Sequence, residues 1–128
     1  MAQTIAEAFT EKGEPVKLFD LKQTHISDIV VSLLDCKYVA VGSPTLNNNM
    51  LPTVAAFLCY MKGLSPKNRQ AFSFGSYGWG GQANGQIEEE LKKCGFDICL
   101  ETLKIQYIPS EEQLKELSEK IKSLKVIT

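Results

Sequence analysis

The sequence predicts an α/β domain, an open and mostly parallel sheet with helices on both faces. Three observations lead there. Helical and strand periodicities alternate along all 128 residues, the pattern that right-handed crossovers between parallel strands produce. "YVAVG" (38–42) and "QAFSFGS" (70–76) are continuous apolar runs, as strands covered on both faces require. Glycine and proline punctuate the periods at helix starts and stops: Gly13, Pro52, Gly63 and Gly95.

Each element follows from its pattern. Ile5 and Phe9 with Ala2, Ala6 and Ala8 form one apolar stripe of a first helix, closed by Gly13 as a left-handed cap. "PVKLFDL" (15–21) reads as a short strand. Ile26, Ile29, Val30, Leu33 and Leu34 repeat at helical spacing and lead into "YVAVG", whose composition places it inside a sheet and not at its edge. A helix starts at Pro52, where a missing N–H costs nothing, runs through "TVAAFLCYMK" and stops at Gly63. After the turn "SPKN" comes the strand "QAFSFGS". Ala83, Ile87, Leu91 and Cys94 mark a helical face, with Glu88–Lys92 and Glu89–Lys93 as outward pairs and Gly95 as terminator. "FDICLETLKIQYIP" (96–109) alternates apolar and polar residues as an edge strand does. Ser110 and Gln113 form a capping box for a last helix whose core face is Leu114, Leu117, Ile121 and Leu124.

Composition narrows the function. With 44% hydrophobic and 23% charged residues, the chain is one globular domain over 1–128, with no room for a second. Net charge is −1, and Lys and Arg are dispersed or interleaved with Glu, so neither nucleic acid nor an anionic membrane is an expected partner. No stretch approaches the about 18 apolar residues of a spanning helix, and "MAQTIAEAFTEKG" has no signal-peptide core. A cytoplasmic protein is expected. Cys36, Cys59, Cys94 and Cys99 include no Cys-x-x-Cys pair and read as reduced structural thiols. The single histidine, His25, reads as a solvated loop residue, and no His/carboxylate metal cluster can be assembled around it.

Ligands of open parallel sheets bind beyond the carboxyl ends of the strands, so the loops after strands are where chemistry is sought. "SPTLNNNMLP" (43–52) carries the hydroxyls of Ser43 and Thr45 and the amides of Asn47, Asn48 and Asn49, with no ionisable group. "FGSYGWGGQ" (74–82) sets Tyr77 and the chain's only tryptophan, Trp79, among four glycines. This inventory of backbone N–H groups, small hydrogen-bonding side chains and two aromatic planes lacks an acid, a base or an activated nucleophile. It suits a flat conjugated ligand with a polar edge, since stacking an aromatic side chain on a base is worth about 1–3 kcal/mol. Glycine-rich turns and Asn runs are also ordinary turn formers that need no ligand.

"VGSPTLNNNMLPTVAAFLCYMKGL", "FGSYGWGGQ" and "IEEELKKCGFDI" resemble the flavodoxin-like domain of the flavodiiron, or A-type, flavoproteins over nearly the whole chain. The resemblance implies a flavodoxin-like fold with FMN as cofactor. It implies that Ser43, Pro44, Thr45, Leu46, Asn47 and Asn48 form a first ring-binding loop, and Ser76, Tyr77, Gly78, Trp79, Gly80 and Gly81 a second. It further implies one-electron relay from a rubredoxin-like donor to a diiron domain that reduces oxygen or nitric oxide. Catalysis at iron would belong to that separate domain; this chain shows no catalytic or metal-binding residues of its own.

Domains of that family begin with an apolar strand and a Ser/Thr/Gly-rich phosphate loop, whereas "MAQTIAEAF" aligns within the helix that follows, so the sequence reads as N-terminally truncated with the first, central strand missing. Three ways of closing the sheet are open: an upstream piece, repair by another protomer or fragment, including a homodimer through exposed sheet edges, or direct pairing of "PVKLFDL" with "YVAVG". The alternative function is a flavodoxin-fold scaffold that no longer binds FMN and acts through protein contacts. A phosphoacceptor receiver domain would need an aspartate where Gly42-Ser43-Pro44 stands.

Overall fold

The computed structural model describes residues 1–64 and 69–124. Along the chain these form α1 (Ala2–Glu11), α2 (Ile26–Leu33), β1 (Tyr38–Gly42), α3 (Pro52–Leu64), β2 (Gln70–Tyr77), α4 (Gln82–Lys93), β3 (Asp97–Ile98), β4 (Leu103–Gln106) and α5 (Glu111–Lys122). All strand pairings are parallel: β2 pairs with β1 on one side and with β3 and then β4 on the other. β2 is therefore the sheet's centre, and Ala71, Phe72, Ser73 and Gly75 are buried along it.

Alternation of side chains across β2 sorts the helices into two layers. On the face of Ala71, Val39 and Val41 of β1 pack with Ile29 and Leu33 of α2, Phe57, Leu58 and Met61 of α3, and Ile87 and Leu91 of α4. On the opposite face Phe72 packs with Ile5 and Phe9 of α1 and Leu117 and Ile121 of α5. The Phe9 ring lies 5.2 Å from that of Tyr38 and 6.3 Å from that of Phe72. Burying a side chain of this size contributes about 1.5–3 kcal/mol, so these two layers hold the sheet.

Local chemistry ends the helices where expected. Gly13 and Gly95 take φ of 82° and 91° after α1 and α4. Ser110 Oγ accepts from Gln113 N–H while the Gln113 side chain accepts from Ser110 N–H, which completes the capping box of α5. Lys12 Nζ donates to the carbonyls of Ile121 and Leu124, where the negative end of the α5 dipole favours a cation. Pro52 opens α3. Gly63 lies within that helix, which runs on to Leu64, and the turn "SPKN" lies outside the described residues.

Two strand expectations are corrected. "PVKLFDL" is not a strand: residues 14–20 have no regular structure and form no strand pairing with described residues, "YVAVG" included. β1 consequently sits at the edge of the sheet among the described residues, with Ala40 exposed, and not in its interior. "FDICLETLKIQYIP" is two strands, not one. Ala71 faces Ile98 and Phe74 faces Leu103, so this line gains two residues relative to β2 between β3 and β4. There Thr102 Oγ1 donates to Glu88 Oε2 (2.8 Å) and lies 2.9 Å from Ser73 Oγ, side-chain bonds that replace the ladder.

Smaller differences concern single side chains. Lys92 pairs with Glu88 at 3.6 Å as the spacing predicts, but Lys93 pairs with Glu90 at 3.1 Å and not with Glu89. Glu90 also binds Lys62 of α3 at 2.9 Å, so the pair ties two helices. His25 is exposed, as expected, and caps α2 by accepting Ser27 N–H on Nδ1 at 3.2 Å. The four cysteines are free thiols; burial pushes the thiols of Cys36, Cys94 and Cys99 above their ordinary range, and Cys59 is exposed.

Candidate functional site

The carboxyl ends of β1, β2 and β4 release three loops on the same end of the sheet, residues 43–51, 78–81 and 107–110. The first is braced from within. Ser43 is buried, its hydroxyl donating to Pro44 O at 2.8 Å and accepting Leu51 N–H at 3.0 Å. Its role here is to close the base of the loop. At the tip, Leu46 and Asn49 exchange both main-chain bonds, at 2.8 and 2.9 Å, around Asn47 and Asn48 with φ of 50° and 63°. Two successive left-handed residues make a type I′ turn, and asparagine tolerates that region better than other non-glycine residues. Asn49 Nδ2 donates to Asn47 O at 2.8 Å, whereas the exposed side-chain amides of Asn47 and Asn48 make no bond with described residues.

The second loop is short. Ser76 and Tyr77 still belong to β2, so only Gly78, Trp79, Gly80 and Gly81 connect it to α4. Tyr77 O accepts Tyr107 N–H at 2.7 Å, and Gly78 O accepts Gln106 Nε2–H at 3.2 Å, which pins the second loop to the third. A Cβ on Gly81 would press within 3.3 Å of the half-buried Tyr77 ring and closer still to Lys104. Trp79 stands clear of everything, 100% exposed.

The structure brings the first two loops together through the first turns of α4. Ala83 N–H donates to Thr45 Oγ1 at 3.3 Å, although Gly81, the N-cap, offers no side chain of its own. Gln86 clamps the first loop: its Nε2 donates to Asn48 O (3.2 Å) and Asn49 Oδ1 (3.0 Å), and its Oε1 accepts Met50 N–H (3.1 Å). Where β1 and β2 end, Gly75 lets the backbones meet, since a Cβ there would overlap the Ser43 carbonyl and the Asn84 amide. Asn84 is buried, its main-chain carbonyl accepting from Ser73 Oγ at 3.0 Å, while its Nδ2 is left without a partner among the described residues.

Sequence reasoning missed Gln86, Asn84 and the third loop. Gln86 and Asn84 act through contacts with residues far away in the chain, which no local period announces. Tyr107, with φ of 60°, and Ile108 are exposed beside Pro109, and an apolar pair that leaves its strand's alternation was the available signal. Leu46, Trp79, Tyr107 and Ile108 together expose large apolar surface on the three loops. With no charged side chain in residues 43–52, and exposed amides and an uncovered indole on loops at the same end of the sheet, the residues include groups that can bond a polar edge and cover a flat face. Among the described residues no His/Cys/Asp/Glu cluster could hold a metal ion, and no helix is long and apolar enough to cross a membrane.

The flavodoxin family model matches residues 1–121. The rubredoxin-oxygen oxidoreductase of Megalodesulfovibrio gigas is 41% identical over 124 residues, covering 94% of this chain and 31% of that protein. Among solved structures, rubredoxin oxygen:oxidoreductase from Desulfovibrio gigas is similar with a TM-score of 0.92 and 37% identity, covering 96% of this chain and 31% of that one. The flavodiiron protein of Giardia intestinalis is similar with a TM-score of 0.86 and 32% identity over the same shares. The chain spans under a third of the length of these relatives.

Proposed function

The chain belongs to the flavodoxin family, and from that premise we propose that it is an FMN-binding electron-transfer module resembling that of flavodiiron proteins. The observation that carries this reading is Trp79, wholly exposed on a four-residue loop at the same end of the sheet as the exposed amides of Asn47 and Asn48. An indole left entirely in water is a large apolar surface awaiting cover, and the neighbouring donors and acceptors fit a heterocycle's polar rim.

Ser43, Pro44, Thr45, Leu46, Asn47 and Asn48 would form the first wall, with Ser43 and Thr45 holding its shape and the Asn47 and Asn48 amides reaching the ring edge. Ser76, Tyr77, Gly78, Trp79, Gly80 and Gly81 would form the second, with Tyr77 and Trp79 as aromatic planes. These residues fit the ring of FMN. The cofactor supplies one-electron chemistry when bound, and the protein positions it and tunes its surroundings. A rubredoxin-like donor, a diiron acceptor domain for oxygen or nitric oxide reduction and a cytoplasmic setting belong to the same proposal. A homodimer through exposed sheet edges is the further partner the sequence suggests.

Titration with FMN tests the reading, because Trp79 is the chain's only tryptophan and its fluorescence reports the site directly. Binding should quench that fluorescence and develop flavin absorption on the protein. Trp79→Ala, followed by flavin absorption, should weaken affinity by about 1–3 kcal/mol, or roughly fivefold to somewhat over a hundredfold. Colourless protein that takes up no added FMN and keeps its fluorescence would leave the scaffold reading in its place.

A further inference from the structure

The tip of the first loop has little to hold it from within. Asn47 and Asn48 occupy the left-handed region, at φ of 50° and 63°, between the two main-chain bonds that join Leu46 and Asn49. Asparagine visits that region more readily than most side chains, yet two such residues in succession are a shape a chain keeps only where its surroundings select it. The surroundings here are largely one residue, Gln86.

Gln86 is half-buried, one turn into α4, and the next residue, Ile87, packs with Leu91 in the cluster of Ala71. Its side chain therefore stands on a rigid support. A glutamine amide has two N–H donors and a carbonyl acceptor, and all three are spent on this one loop. Nε2 donates to Asn48 O at 3.2 Å and to Asn49 Oδ1 at 3.0 Å, and Oε1 accepts Met50 N–H at 3.1 Å. Asn49, held in this way, donates from its own Nδ2 to Asn47 O at 2.8 Å. The carbonyls of both left-handed residues are thus engaged, directly or through Asn49, by a single side chain. What remains of the turn is the pair of exposed Asn47 and Asn48 side-chain amides, which make no bond with described residues.

We propose that Gln86 is a positioning residue of the flavin site: without touching the ring, it fixes the Asn47–Asn48 turn so that both side-chain amides stand ready for the ring's polar edge. The inference rests on the FMN reading above and adds a residue on which that site depends. A loop ordered before binding removes the cost of ordering it on binding, so the clamp is expressed as flavin affinity. Glutamate could not do the same, since it would set an oxygen against Asn48 O and Asn49 Oδ1 where the loop needs two donors.

FMN titration of the full chain, followed by flavin fluorescence, gives the affinity, and amide hydrogen exchange at Met50 reads the clamp with no flavin present. Gln86→Met, similar in length but without donors or acceptor, should lower affinity about tenfold. It should also speed Met50 exchange, because Gln86 is the one acceptor of that N–H among the described residues. Gln86→Glu, equal in shape, should lower affinity similarly and keeps the test decisive should the methionine variant fold poorly. Asn47→Gly with Asn48→Gly retains the left-handed turn and removes both amides. On that background Gln86→Met should cost less than about twofold more, since the groups it positions are gone. Equal losses on the two backgrounds, unchanged Met50 exchange in Gln86→Met, or unchanged affinity in both Gln86 variants would each overturn the proposal and leave the FMN reading standing. A wild-type chain that takes up no FMN would overturn both.

Discussion

β1 and the β3/β4 line flank the same central strand, yet they meet solvent in different ways. β3 has two residues, the line gains two residues before β4, and Thr102 bonds Ser73 and Glu88 there in place of a ladder. Along β4 buried Leu103 and Ile105 alternate with exposed Lys104 and Gln106. Each of these features discourages a further strand. β1 shares the alternation, with buried Val39 and Val41 around exposed Ala40, but not the rest: it is five residues long, unbroken and uncharged. Position at the rim of a sheet and construction as a rim are thus separate properties, and only β3/β4 has both.

The harshest way to break the comparison is through the strand common to both sides. Gly75→Val would drive a side chain into the Ser43 carbonyl and the Asn84 amide. A loss of about 4 kcal/mol or outright unfolding is expected in urea denaturation. Matched truncations then compare the sides directly. Leu103→Ala on β4 should cost about 3 kcal/mol, and Val39→Ala on β1, with two fewer carbons buried, about 2 kcal/mol. A Val39→Ala loss near zero would mean that β1 is loosely held on its packed face as well as open on its edge.

Thr102→Val sharpens the account of the β3/β4 side. It removes the hydroxyl shared by Ser73 and Glu88 and should cost about 1 kcal/mol by chemical denaturation. The smallest effect lies away from both edges. Lys62 above all, and Lys93, hold the Glu90 carboxyl below its ordinary value of 4.5. The folded state therefore binds that proton less tightly than the unfolded chain does. The stabilisation is complete above pH 4.5 and lost as pH falls through the folded value. Lys62→Met should flatten the acid limb of the stability profile slightly and leave both edges unchanged, because the pair is largely solvated.

Much of this architecture is legible from local pattern. The caps at Gly13 and Gly95, the Ser110 box and the runs 38–42 and 70–76 are settled by residues close in sequence, and the structure has each of them. The two loops after β1 and β2 were legible for the same reason. "PVKLFDL" has the right alternation, but a strand exists only with a partner, and pairing is a long-range fact. The split of the last strand was readable in principle: the apolar phase runs on even positions through Phe96, Ile98 and Leu100 and on odd ones at Leu103 and Ile105. At the candidate site, residue types were legible but their engagements were not. Ser43 could equally have faced a ligand or the loop, and the side-chain bonds that turn it inward appear only once Leu51 folds back.

The rim formed by β1 bears on how this protein behaves in concentrated solution. An unprotected sheet rim is ordinarily a growing end: each added strand exposes another, and association proceeds toward fibrils. Here residues of the segment after α1 lie near that rim, with Glu14 paired with Lys37 and Phe19 packed against the cluster that holds Val39 and Val41. In the language of polymer chemistry these residues are substituents on the reactive end, and they set how readily a further unit adds.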